Sequence, residues 1–114
     1  MTREEFVSYG VDYDAAMNMF MNNESIYAKF LGKFLKDESY KQLKEAIDNK
    51  DCESAFKAAH TLKGVAGNLS FKDLWKAASD VTEEFRAGNF EGGLKYIDEL
   101  EHQYNRVMEM ISRV

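Results

Sequence analysis

One histidine within a helical segment has neighbours suited to nucleophilic chemistry. At about 100° per residue, His60, Lys63, Gly64 and Gly67 fall on one face of the helix, at positions i, i+3, i+4 and i+7. A neutral imidazole nitrogen is a nucleophile, and an unperturbed histidine is mostly neutral near pH 7. The ammonium of Lys63, one turn away, can attract a phosphoryl donor and stabilise a phosphorylated imidazole. These residues predict a phosphoacceptor histidine with a supporting cation.

The two glycines on this face stand where helix propensity disfavours them. Each costs a helix interior about 1 kcal/mol relative to alanine, so a reason other than helix formation is expected. Without side chains, Gly64 and Gly67 would let another protein's backbone approach the imidazole closely. Tight packing inside a bundle is the alternative interpretation, and it is stronger for Gly67, nearer the helix end. Phe56 and Lys57 lie one turn before His60 and extend the predicted docking surface, although a generic surface charge is the more ordinary role for Lys57.

Other kinds of chemistry find little support in the sequence. His60, His102 and Cys52 form no pair at i,i+3 or i,i+4 spacing, and there is no Cys-x-x-Cys motif, so no metal site is predicted. No glycine-rich phosphate loop of the Walker or kinase type is present, and no carboxylate pair is placed for magnesium. The chain is therefore predicted to carry a phosphoryl group without generating one, as a non-enzymatic phosphocarrier with no cofactor.

The composition limits which binding partners and which cellular compartment are expected. The chain has 114 residues, enough for one domain over 1–114, and its formal charge of -5 argues against nucleic acid as a partner. A hydrophobic content of 45% suffices for one core. No apolar stretch is long enough for a signal peptide or a membrane span, and a single cysteine fits a reducing compartment. We expect a cytoplasmic monomer, and the N-terminal Met favours a free-standing chain.

The elements that must position His60 are predicted to be helices. Proline is absent, and apolar residues recur at steps of three and four residues, which favours an all-α fold. Residues 1–22 are predicted to form short N-terminal helices, and residues 23–114 an antiparallel four-helix bundle. The predicted N-caps of the helices are Thr2, Asp12 or Asp14, Asn23, Asp51, Ser70 (in a capping box with Asp73) and Asn89.

Two apolar seams are predicted to pack against each other on either side of Ser70. The first belongs to the helix that carries His60, and the second to the helix that follows and ends at Gly88. After Gly88, Asn89 is predicted to begin one long final helix. The seam residues are Ala55, Ala59, Leu62, Ala66 and Leu69, then Phe71, Leu74, Ala78, Val81 and Phe85.

The run AHTLKGVAGNLSF, residues 59–71, resembles the signature of histidine-containing phosphotransfer (HPt) domains. That signature is a His-x-Leu-Lys-Gly pattern on the second helix of a four-helix bundle. The segments on both sides are also similar, so the likeness covers nearly the whole chain, and the upstream segment resembles that of small stand-alone bacterial members. Many members have glycine at the position of Ser70.

The resemblance implies a phosphorelay intermediate. His60 would accept a phosphoryl group from the aspartate of one response-regulator receiver domain and pass it to another, with Lys63 as the supporting cation and Gly64 as the access glycine. A hybrid histidine kinase is the other implied partner, and Mg²⁺ would be bound by the receiver rather than by this chain. The competing class is a non-catalytic helical adaptor that binds receiver or kinase domains through the same surface.

The geometry of a helical hairpin adds one further residue. If the two helices turn near Phe71, His60 lies 11 residues before the turn and Thr82 lies opposite it. The Thr82 hydroxyl would then hydrogen-bond the imidazole and select one tautomer. A shift of one or two residues would place Val81 or Glu83 there instead, and Glu83 or Glu84 is an alternative for the same role.

Overall fold

Eight α-helices and no strand make up the fold, which confirms the predicted all-α class. A computed structural model describes the whole chain, residues 1–114. In chain order the helices are α1 (Arg3–Ser8), α2 (Tyr13–Met19), α3 (Glu24–Phe34), α4 (Ser39–Asp48), α5 (Cys52–Asn68), α6 (Lys72–Arg86), α7 (Phe90–Leu94) and α8 (Ile97–Ser112).

Side-chain caps begin most of these helices where the sequence predicted them. Thr2 and Glu5 form the capping box of α1, and Asp12 rather than Asp14 caps α2. Each cap accepts a hydrogen bond from a backbone N–H that has no partner within the helix. Three more predicted caps do the same for α3, α5 and α7, namely Asn23, Asp51 and Asn89.

The bundle is formed by α4, α5, α6 and α8, with α5 packed between α4 and α6 and with α6 packed on α8. The short turn between α5 and α6 makes these two helices antiparallel. Every seam residue predicted for them is buried, so the two seams meet in the core. Most of the α5 seam is alanine, which lets the two helix backbones approach closely. His60 consequently lies on the outer side of α5, away from the core.

The N-terminal helices attach to the turn between α5 and α6. The backbone N–H of Asp12 donates to the carbonyl of Ser70 at 2.9 Å. From α3, the buried Tyr27 hydroxyl donates to the carbonyl of Leu69 at 2.7 Å. Burial raises the pKa of the Tyr27 phenol well above its ordinary value, so this donor keeps its proton. These bonds fix the end of the helix that carries the histidine.

The predicted capping box of Ser70 and Asp73 is wrong. Ser70 has a φ of 60°, in the left-handed region, and its N–H and that of Phe71 donate back to the carbonyls of Gly67 and Ala66. This Schellman arrangement ends α5, whereas α6 begins without a side-chain cap. Glycine adopts the left-handed region without strain, so serine is an uncommon residue at this position.

The predicted single final helix is also wrong, because it divides into α7 and α8. Gly93 packs so close to Phe85 that a Cβ there would overlap the aromatic ring. The N–H of Tyr96 then bonds the carbonyl of Gly93, three residues back, at 3.1 Å, and the chain turns before α8 begins. Glycine weakens a helix and allows this close approach, so the two features have one cause.

Candidate functional site

His60 lies exposed in the middle of α5, at the centre of a surface that we call the His60 surface (Phe56, Lys57, His60, Lys63, Gly64 and Gly67). One turn before it, the ring of Phe56 stacks on the imidazole, with ring centroids 5.8 Å apart and planes inclined by 22°. One turn after it, Gly64 presents no side chain. The imidazole is therefore supported on one side and open on the other.

Lys63 is half-buried beside His60 and has an aromatic partner instead of an acidic one. Its Nζ atom lies 5.5 Å from the ring centroid of Trp75 on α6. Lys63 takes no part in the ion pairs of the structure. A π-face attracts an ammonium group without neutralising its charge. The positive charge of Lys63, the residue one turn after His60, thus remains available to an anion.

The two glycines of the His60 surface have different surroundings. A Cβ built on Gly64 would have no atom within 4 Å, so any side chain there would stand above the helix next to His60. A Cβ on Gly67 would lie 3.2 Å from Cδ1 of Trp75. Gly64 accordingly fits the access interpretation, and Gly67 fits the packing interpretation that the sequence left open.

The sequence model of one protein family, the Hpt domain, matches residues 34–110, which run from the end of α3 into α8 and include every residue of the His60 surface. The chain belongs to the Hpt domain family. Hpt domains carry phosphoryl groups in phosphorelays, and they are carriers rather than kinases. Searches of curated proteins and of solved structures gave no match.

In this Hpt domain Thr82 does not contact the histidine in the way that the hairpin geometry predicted. Its side chain is fully buried, and its hydroxyl donates to the carbonyl of Ala78 at 2.7 Å. The hydrogen bond predicted between Thr82 and His60 is therefore not formed. Thr82 follows Val81 on the inward side of α6, so its rotation about the helix axis turns its hydroxyl away from the outer face of α5.

Two residues of α6 that sequence reasoning did not assign to the site border it in the structure. Arg86 lies over the Phe56 ring, with Cζ 4.9 Å from the centroid, and Trp75 lies against Gly67. Both pairs are symmetric about Phe71 in the sequence. The hairpin geometry that pairs His60 with Thr82 therefore predicts these two pairs as well.

Lys57 points away from these contacts. Its Nζ atom pairs with the Glu53 carboxylate at 3.4 Å, and both side chains are mostly in solvent. This exposed pair fits the ordinary surface role for Lys57 better than a specific docking role.

The Hpt domain offers no clustered set of metal ligands and no membrane-spanning element. No three side chains among His, Cys, Asp and Glu are grouped so that they could hold a metal ion. None of the eight helices combines the length and apolar character needed to cross a bilayer. The chemistry open to the His60 surface is that of an exposed nucleophile beside an unneutralised cation.

Proposed function

We propose that this Hpt domain is a phosphorelay intermediate in which His60 accepts a phosphoryl group from the aspartate of one receiver domain and transfers it to another. The observation that carries the proposal is an exposed imidazole followed, one turn later on α5, by an open glycine and a cation without an acidic partner. These are the features that a protein-bound phosphoryl donor requires, namely access, a nucleophile and positive charge.

The transfer is a nucleophilic displacement at phosphorus. The lone pair of the unprotonated imidazole nitrogen forms the N–P bond while the P–O bond to the receiver aspartate breaks. The aspartate leaves as a carboxylate with the electron pair of that bond. The proton on the other ring nitrogen stays on the ring or passes to water. Because the reverse displacement transfers the group onward, the chain needs no ATP site and ends the cycle unchanged.

Three neighbours of His60 on this surface have a part in the reaction. Lys63 supports the negative charge of the phosphoryl group, and Gly64 leaves room for the receiver's backbone. The stacked Phe56 ring supports the imidazole from behind. The receiver domain supplies the aspartate and the Mg²⁺ that it binds, so this chain contributes position and charge. The same proposal includes a hybrid histidine kinase upstream, a monomeric state and a cytoplasmic location.

Intact mass spectrometry tests the proposal directly. The protein is mixed with a panel of receiver domains phosphorylated on aspartate, alongside His60→Gln and, as a matched control, His102→Gln, which changes an exposed histidine on α8. We expect a gain of one phosphoryl group that is acid-labile and base-stable in the wild type and in His102→Gln, and no gain in His60→Gln.

Two results would contradict the proposal. Phosphorylation that persists in His60→Gln would move the acceptor elsewhere. No gain with any receiver, although the protein is folded, would favour the helical adaptor, whose affinity for its partner should also survive in His60→Gln.

A further inference from the structure

Trp75 has a position that the core of the bundle does not explain. It is the only tryptophan of the chain, it is 42% exposed, and it is absent from the hydrophobic core cluster, whereas its neighbour Leu74 is buried there. Its indole crosses from α6 to the outer face of α5. A large apolar ring on the surface calls for a reason other than stability, and here the contacts of the ring supply one.

Two contacts hold the indole over α5. The first is with Gly67, where the absence of a side chain leaves room for Cδ1 and Nε1 of the ring. The second is with Lys63, whose ammonium lies 5.5 Å from the ring centroid. Gly67 therefore sets where Trp75 lies, and Trp75 sets where the Lys63 ammonium lies when no phosphoryl group is bound.

We propose that Trp75 is a positioning residue for phosphoryl transfer, because its indole face holds the ammonium of Lys63, the residue one turn after His60, over the outer face of α5 and keeps it there as it binds the incoming phosphoryl group. This inference rests on the proposed function of His60. A lysine side chain has many rotamers, and fixing it near the reaction beforehand removes part of the entropy cost of transfer. A carboxylate at the same place would also fix Lys63, but it would neutralise the charge that the reaction needs.

The contact with the indole can persist while Lys63 binds the phosphoryl group. An ammonium has three N–H donors, so one side of it can rest on the ring while another donates to a phosphoryl oxygen. Because the contact is present both before and during transfer, it orders the Lys63 side chain without adding to the barrier. Trp75 itself touches no reacting atom in this scheme.

Kinetics of transfer from a phosphorylated receiver separate positioning from docking and from folding. In Trp75→Leu we expect the maximal rate to fall about two- to fivefold, the range that loss of an exposed cation–π contact allows. The receiver concentration at half-maximal rate should not change. Trp75→Phe keeps an aromatic face and should restore most of the rate. Tyr96→Leu, which removes a similarly exposed aromatic ring outside the site, is the matched control and should behave as wild type.

A double-mutant cycle tests whether Trp75 acts through Lys63. In a Lys63→Met background, Trp75→Leu should cause no further loss of rate. A full additional loss there, or a wild-type rate in Trp75→Leu, would overturn the proposal. A rise in the half-maximal concentration without a change in maximal rate would show that Trp75 is a docking residue instead.

The fluorescence of the single tryptophan gives a readout that does not need phosphotransfer. Lys63→Met should change the Trp75 emission of the unphosphorylated protein. Phosphorylation of His60 should change the wild-type emission less than Lys63→Met does, because the ammonium stays on the indole. Identical emission of wild type and Lys63→Met would overturn the contact itself. If the emission differs but no receiver phosphorylates the wild type, the proposed function fails while the contact stands.

Discussion

Helix α5 presents one face to the core and the opposite face to solvent, and the two faces are filled differently. On the inner face, Ala59 and Leu62 are completely buried against the neighbouring helices. On the outer face, His60 and Gly64 are exposed, and Lys63 contacts an aromatic ring of the next helix. The inner face is stabilised by packed side chains, whereas the outer face depends partly on the absence of a side chain at Gly64. Substitutions on the two faces should therefore separate stability from function.

The largest effect on stability is expected on the inner face. Leu62→Ala should lower the free energy of unfolding by about 2–5 kcal/mol, because it removes buried methyl groups and leaves a cavity. Urea denaturation followed by circular dichroism measures the loss. Leu35→Ala changes a leucine that is 54% exposed and should stay within about 0.5 kcal/mol of wild type. Equal losses of unfolding free energy in both variants would mean that the core tolerates the cavity, and this result would contradict the contrast between the two faces.

On the outer face, Gly64→Gln should affect docking and leave the fold intact. A glutamine there would stand beside the imidazole and hold the receiver away, so we expect transfer from a phosphorylated receiver to require about tenfold more receiver. Gly32→Gln is a matched control, since Gly32 also lies within a helix and has equally open surroundings, but on α3. Normal transfer by Gly64→Gln would show that access to His60 does not depend on the missing side chain.

The sequence predicts the inner face of α5 more completely than the outer face. The inner face follows from periodicity, because burial of a seam requires apolar residues at steps of three and four, and each predicted seam residue is buried. The outer face follows only in part. Sequence spacing placed Thr82 opposite His60 along the axis, but not its rotation about α6, which packing decides. As a result, the Thr82 hydroxyl donates to the carbonyl of Ala78.

Backbone conformation at the helix ends was the other property that residue types did not reveal. Serine, followed three residues later by Asp73, is a typical capping box, yet Ser70 is held in the left-handed region by two hydrogen bonds that end α5. The break at Gly93 has a local sign as well, because Gly92 and Gly93 are adjacent and such a pair disfavours a helix interior, and Phe85 then packs against Gly93. At Ser70, the bonds that Asp12 and Tyr27 make to this turn add a long-range contribution that residue types do not reveal.

The buried phenol of Tyr27 is one of the groups that fix the end of the inner face, and its removal should have an intermediate effect. Tyr27→Phe deletes the donor to the Leu69 carbonyl and leaves that carbonyl without its buried partner, which should cost about 1–2 kcal/mol of unfolding free energy. Denaturant unfolding measures the loss. Phosphoryl transfer by the folded protein should remain normal, because the bond lies on the core side of α5. A slower transfer would show that the two faces are coupled through the end of the helix.

The same phenol predicts how stability depends on pH. Burial raises the pKa of Tyr27, and burial also raises that of Tyr40 to about 12. In the unfolded chain both phenols titrate near their ordinary pKa of about 10. Below that pH the unfolding free energy should not change on their account, and above it stability should fall because the unfolded state loses protons first. The fall should be shallower in Tyr27→Phe, and an unchanged slope would contradict the assigned burial.

The smallest effects compare the two glycines of the outer face with each other. Gly64→Ala should stabilise the helix by about 1 kcal/mol, since the new methyl group meets no atom within 4 Å. Gly67→Ala should gain less, because its methyl group would lie 3.2 Å from Cδ1 of Trp75 and the indole must move outward. The Trp75 emission should therefore change in Gly67→Ala and stay constant in Gly64→Ala. Equal gains in stability with unchanged emission in both variants would mean that the indole does not rest on Gly67. The glycine at that position would then have no structural explanation.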